Sequence, residues 1–353
     1  MKNVLIIIMC LEMFGLSLSA QQNIRNFIFG HSLINHAIPI NPVPSQETSI
    51  PHWIHFLAQD AGNSYAVDGQ YGFLPNHMNL PPNAQWGFEF VSGVWDSENV
   101  PFSAADFTDI LITPANFVQW QDPNMNYPYE SFSPVDATNT IINWTVDQEP
   151  NLDIYLYENW PDMAAYLNGD FPPNQNEWEA YNEYLNGDFH DWFQAYHESV
   201  SDNFPETCVS LIPVGTVISK LLQEAPFNEI PVVDLYEDDA PHGKPTIYFL
   251  ASLVTYMAMY QSQPSDDFEI DPIIHPTVIN NFEIVNKQIW EALLGFNNAD
   301  GTSKVFCEML TNNEEVFNQE IKISPNPTNG EVFIKGIDKL TDLSIFNLSL
   351  IHI

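Results

Sequence analysis

Ser32 lies in NFIFGHSLINHA, residues 26–37, between an apolar, strand-like run and a polar turn. A serine hydroxyl attacks a carbonyl efficiently only where a histidine accepts its proton and an acid orients that histidine. Such a pair stands far downstream in EDDAPHGK, where Asp239 and His242 have Asp-x-x-His spacing. In a turn, that spacing lets the carboxylate reach one imidazole nitrogen while the other faces outward. A rival pair, Asp271 and His275 in DPIIHPT, has one more residue in the spacing, follows no buried strand and ranks second. Other histidines, such as His52, His55, His190 and His197, lack a comparably placed acid and read as surface or packing residues. Serine between a strand and a helix is also a routine N-cap, so Ser32 alone supports both readings.

The elements that must position these residues are legible as apolar runs. NFIFG, SYAVDGQYG, DFTDILIT, NLDIYLYEN, TCVSLIPVG and IPVVDLY read as strands. Short apolar runs bounded by polar residues suit a parallel sheet buried on both faces. Helical spacing marks SIPHWIHFLAQDAGN, where Trp53, Ile54, Phe56 and Leu57 share a face, and also NEWEAYNEYLNGDFHDWFQAYHESVSD, VISKLLQEA and YFLASLVTYMAMYQ. Alternation of strand and helix predicts an α/β protein, a three-layer α/β/α sandwich with a mainly parallel sheet. EDDAPHGK would then follow the strand IPVVDLY and lie at the carboxyl edge of the sheet, where open sheets place ligands.

Composition narrows the partners. The 353 residues carry 46 acidic against 9 basic side chains, a formal charge of −37, which repels a phosphate backbone and argues against nucleic acid and anionic membrane surfaces. Residues 1–20 have a basic Lys2, an apolar run from Val4 to about Leu16 and small residues at 17, 19 and 20. That is the pattern of a secretory signal peptide, cleaved after Ser19 or Ala20, with Cys10 inside its apolar region. Cys208 and Cys307 remain in the mature chain, where an oxidising compartment would allow a disulfide. TIYFLASLVTYMAMY is interrupted by polar residues and suits a buried helix rather than a membrane span. YLNGDF occurs twice, at 166–171 and 184–189, a duplicated turn whose aromatic residues could serve the core or a sugar-binding surface. NNADGTSK opens a linker over 297–320, and the period-two pattern of 321–353, with its Pro-Asn-Pro-Thr-Asn-Gly turn, predicts a small all-β module.

FGHSL, with Gly30, Ser32 and Leu33, resembles the nucleophile block of the SGNH, or GDSL-type, hydrolases, with His31 in place of the usual aspartate. The resemblance covers about residues 24–295. It implies a flavodoxin-like α/β/α fold for the domain at 21–296 and a triad of Ser32, Asp239 and His242, with no metal or organic cofactor. It further implies an oxyanion hole of Ser32, Gly69 in AVDGQYG and Asn159 in LYENWPD, with Gly72 the alternative glycine. Gly-His-Ser-Leu-Ile lacks the second glycine of a Gly-x-Ser-x-Gly elbow, which argues against the α/β-hydrolase fold proper.

ISPNPTNGEVFIKG resembles the C-terminal sorting domain of proteins exported by the type IX secretion machinery of Bacteroidota. Members of that family run further, so the module at 321–353 is expected to be partial. Together the resemblances imply a secreted or cell-surface serine esterase that removes small acyl groups, acetyl foremost, from polysaccharides or other small esters. The contrasting reading is a surface glycan-binding or adhesion protein that keeps the fold without the chemistry. A metal-dependent hydrolase has no paired ligand motif to support it.

Overall fold

The computed structural model describes residues 21–36, 47–88, 90–114 and 118–307, together with two short strands at 322–324 and 333–335. The segment expected as a signal peptide and the Pro-Asn-Pro-Thr-Asn-Gly turn at 325–330 lie outside the described residues. A compact unit runs to Cys307, and a second begins at Glu308.

In the first unit, β1 (Asn23–Gly30) leads through α1 (Ile50–Asp60) to β2 (Ser64–Tyr71) and the short α2 (Leu74–His77). Then come β3 (Asp109–Ile112), α3 (Pro134–Gln148), β4 (Asp153–Tyr157), α4 (Gln175–Tyr184) and α5 (His190–Asn203). The chain continues through β5 (Val209–Ile212), α6 (Val214–Gln223), α7 (Val232–Leu235), α8 (Pro245–Tyr260), α9 (Pro276–Asn280) and α10 (Phe282–Leu294). In the second unit β6 (Lys322–Ser324) and β7 (Phe333–Lys335) form an antiparallel pair.

The five strands are parallel, in the order β2-β1-β3-β4-β5. Side chains alternate between two cores. Ile28, Leu111, Tyr155 and Ile212 point toward α1, α6, α8 and α10, whereas Phe27, Phe29, Ile110, Ile154 and Leu211 point toward α3 and α5. The expected three-layer α/β/α sandwich is therefore present.

Local chemistry sets the helix starts. Ser49 accepts the His52 N–H at the head of α1, and Ser133 with Asp136 forms a capping box before α3. Helix α8 is buried on every side from Thr246 to Tyr260, so it is a core element. No helix among the described residues is long and apolar enough to cross a membrane.

Two expectations need correction. IPVVDLY is not a strand: Pro231 precedes a single helical turn, α7, in which Val233 is exposed and only Leu235 is buried. An apolar run of this length cannot by itself separate strand from helix, and Pro231 lacks the N–H that a ladder would need. Residues 297–307, read as linker, pack with the first unit. Leu211 N–H donates to Lys304 O at 2.8 Å, and Cys208 is bonded to Cys307.

Candidate active site

Because β2 and β3 lie on opposite sides of β1, the loops leaving β1 and β3 diverge and open a crevice at the carboxyl edge of the sheet. Ser32 enters that crevice directly from the end of β1. Its turn is closed by Ile34 N–H donating to His31 O at 2.9 Å, and its own carbonyl accepts the Tyr248 hydroxyl of α8 at 2.6 Å. Gly30 permits the approach, since a Cβ there would lie 3.0 Å from Ile34 and 3.1 Å from Trp86. Ser32 caps no described helix; its Oγ lies 3.1 Å from His242 Nε2.

His242 comes from the loop between α7 and α8. Glu237 N–H donates to His242 O at 2.8 Å and Tyr236 bridges Gly243, closing the loop on itself. Inside it, Asp238 Oδ1 accepts the N–H groups of Ala240 and His242, an Asx-type arrangement. That turn aims Asp238 Oδ2 at His242 Nδ1, 2.7 Å away. The acid on the histidine is therefore Asp238, not the expected Asp239, whose main-chain carbonyl instead accepts Met163 N–H. Burial draws the Asp238 pKa upward, but hydrogen bonds from the His242 side chain and backbone, with the charge of His242, hold it below the usual carboxylate value. An ionised Asp238 can only accept, so Nδ1 carries the imidazole proton and Nε2 is left to accept from Ser32.

A cavity of about 480 Å³ opens over Ser32 and His242. Trp120, Tyr71 and Phe73 expose their rings in its wall, and Tyr166 and Tyr184, the first residues of the two YLNGDF copies, stack there with centroids 5.3 Å apart. His31 also lines it, with Nδ1 accepting Leu33 N–H at 3.2 Å. Burial, then the nearby His77 and His242, lowers the His31 pKa to about 3, so the residue before Ser32 is a neutral imidazole.

No protein-family model matches the chain, and no curated protein matches it at a significant level. Among solved structures it is similar to a protein named as a GDSL-like lipase from Parabacteroides merdae, at 11% identity over 67% of this chain and 96% of that one, with a TM-score of 0.39. A protein named as a GDSL-like lipase from Bacteroides ovatus shows 13% identity over 69% and 99%, with a TM-score of 0.29. A carbohydrate esterase family 2 enzyme with a carbohydrate binding domain from Corynascus thermopiles shows 10% identity over 69% and 67%, with a TM-score of 0.35.

The expected oxyanion residues fare unequally. Asn159 reaches the cavity wall just beyond β4, although its Nδ2 donates to Trp160 O at 2.7 Å. Gly69 does not reach it: it is buried within β2 opposite Ile28, where a Cβ would lie 2.6 Å from Trp86. Gly72 stands nearer the edge, but its N–H is taken by Gly30 O at 2.9 Å. The rival pair is also displaced. His275 caps α9 by accepting Thr277 N–H, Asp271 accepts Ile273 N–H, and neither lines the cavity.

Several neighbours escaped the sequence reading. His190 is more than a packing residue: its Nδ1 lies 2.8 Å from Oε2 of the fully buried Glu158, whose carboxylate accepts the bond, and Glu158 Oε1 also accepts Thr216 N–H at 3.0 Å. Asp238 stood in plain view within the acidic run EDD, but only the turn decides which of three adjacent carboxylates meets the imidazole. His36, close behind Ser32 in GHSLINH, had no partner visible in its own segment.

Proposed function

We propose that the chain is a serine esterase acting on small acyl esters through Ser32, His242 and Asp238. The observation that supports this reading is the continuous chain of hydrogen-bond distances, 3.1 Å from Ser32 Oγ to His242 Nε2 and 2.7 Å from Nδ1 to Asp238. Nε2 takes the hydroxyl proton as Oγ attacks the ester carbonyl, and Asp238 stabilises the imidazolium that forms. The imidazolium then protonates the departing alkoxide, leaving an acyl-Ser32 ester that water, activated by the same histidine, hydrolyses. The Ser32 N–H and the Asn159 amide are the donors we assign to the oxyanion, an effect commonly worth roughly 3 kcal/mol per donor.

For the substrate we favour acetyl groups carried on a polysaccharide. Trp120, Tyr71 and Phe73 offer exposed ring faces at the cavity mouth on which a sugar can stack, and Asp162 adds a polar group there. The same reading takes the chain to be exported, on the strength of the signal-like residues 1–20 and the sorting-type turn near the C-terminus.

The test is hydrolysis of p-nitrophenyl acetate, longer p-nitrophenyl esters and an acetylated xylan by the full chain and by Ser32→Ala. Acetate release lost in the variant is the expected result. Equal rates in both proteins would remove Ser32 from catalysis and the esterase reading with it.

A further inference from the structure

The acid and histidine that serve Ser32 have a twin beside them. Glu237 and Asp238 are consecutive, and each holds an imidazole: Asp238 Oδ2 meets His242 Nδ1 at 2.7 Å, while Glu237 Oε2 meets His36 Nε2 at 3.3 Å. The two rings lie face to face, with centroids 3.9 Å apart and planes inclined by 13°. We propose that His36, held by Glu237, is a positioning residue that fixes the plane of the His242 ring for proton transfer with Ser32.

This inference rests on the esterase reading, and the reason for it is geometric. His242 sits in a loop and its side chain is 22% exposed. A single contact to Asp238 fixes one nitrogen but lets the ring turn about that contact, which would carry Nε2 away from Ser32 Oγ. A parallel ring at van der Waals distance removes that freedom. His36 can act as such a wall because its own backbone is anchored: its N–H donates to Thr48 O at 2.9 Å, Thr48 Oγ1 donates to its carbonyl, and Asn35 bridges Ser49. The groups facing the stacked pair are Glu237 and Asp238 beside His36, and Ser32, Asp238 and His31 around His242. Burial, then the charge of His242, lowers the His36 pKa against the opposing pull of Glu237 and Asp238. A neutral His36 presents a π face to His242 when that ring becomes an imidazolium, which favours the charge rather than repelling it.

The experiment compares kcat and KM for p-nitrophenyl acetate in the full, disulfide-bonded chain and its His36→Ala, His36→Phe and Glu237→Gln variants, with thermal melting of each. A reorientation of the general base should lower kcat of His36→Ala by about tenfold with KM within about twofold. His36→Phe keeps a flat ring and should recover most of the loss, with Glu237→Gln in between. An unchanged kcat in His36→Ala, or a His36→Phe enzyme as slow as His36→Ala, would overturn the proposal. NMR titration of the histidine rings in Ser32→Ala gives a readout that needs no turnover. There, His36→Ala should change the shift and titration curve of His242, and an identical curve would also sink the inference. Loss of Ser32-dependent turnover in the parent chain would instead refute the esterase reading, and the two failures are thereby separate.

Discussion

At the scale of residues, the site turns on which of three consecutive acids is used. Glu237, Asp238 and Asp239 are chemically near-equivalent, yet the loop directs them to His36, to His242 and away from both rings. Asp238→Asn should therefore lower kcat for p-nitrophenyl acetate by about a thousandfold or more, because an amide both fails to stabilise the imidazolium and favours the wrong tautomer. Asp239→Asn should stay within about twofold of the parent, as expected of a substitution that leaves the proton-transfer chain intact. Equal losses in the two variants would mean that the loop rearranges in solution. His31 shows the same dependence on surroundings: an ionisable residue in the turn after β1 is held neutral because burial penalises its charge.

At the scale of elements, one buried carboxylate ties β4 to two helices. Glu158 follows β4, and its two oxygens reach His190 at the start of α5 and Thr216 in the first turn of α6. An anion at the head of α6 also meets the positive end of the helix dipole. Glu158→Ala should cost about 3 kcal/mol in urea unfolding, because it strands buried polar partners on two helices. A change below about 0.5 kcal/mol would show that water replaces the carboxylate there. The duplicated hexapeptide shows how far packing overrides local sequence. At 166–171 YLNGDF leaves a 3-10 turn and runs through bends, whereas at 184–189 it ends α4 and forms a π-type segment leading into α5. Identical residues adopt different backbones, and both tyrosines end in one cavity wall.

At the scale of the molecule, two features contribute to stability in ways that can be measured. Cys208 and Cys307 close a loop with a sequence separation of 99 and hold the 303–307 segment along the outer edge of β5. Reduction, or paired Cys208→Ser and Cys307→Ser changes, should lower the unfolding free energy by about 3 to 5 kcal/mol, measured with and without reductant.

The second feature is acid sensitivity. Burial lowers His77 to a pKa of about 4, against hydrogen bonds to Gly72 and Gly30 that raise it, and His31 falls to about 3. Between those values and 6.5 the unfolded chain binds protons that the folded chain excludes, so these groups make stability rise with pH and weaken it on acidification. Asp109 acts with the opposite sign, since burial raises its pKa to about 7 and the folded chain keeps a proton there. His77→Gln should flatten the dependence of unfolding free energy on pH between about 4 and 6.5 by up to one proton. An unchanged slope would show that His77 is protonated in the folded chain.

The sequence by itself determined the layered α/β architecture and the buried helix α8, and it offered Ser32 and His242 as candidate partners. Apolar periodicity and the order of elements are local signals, and residue types restrict the chemistry that a serine and a histidine can perform. Only the tertiary structure decided that Asp238 rather than Asp239 meets the imidazole, that Gly69 stays inside β2, that IPVVDLY is a helical turn, and that His36 lies against His242. Each depends on a backbone path or on a contact between distant segments. Spacing along the chain limits which residues can meet, but the competition among turns, ladders and core packing selects which ones do.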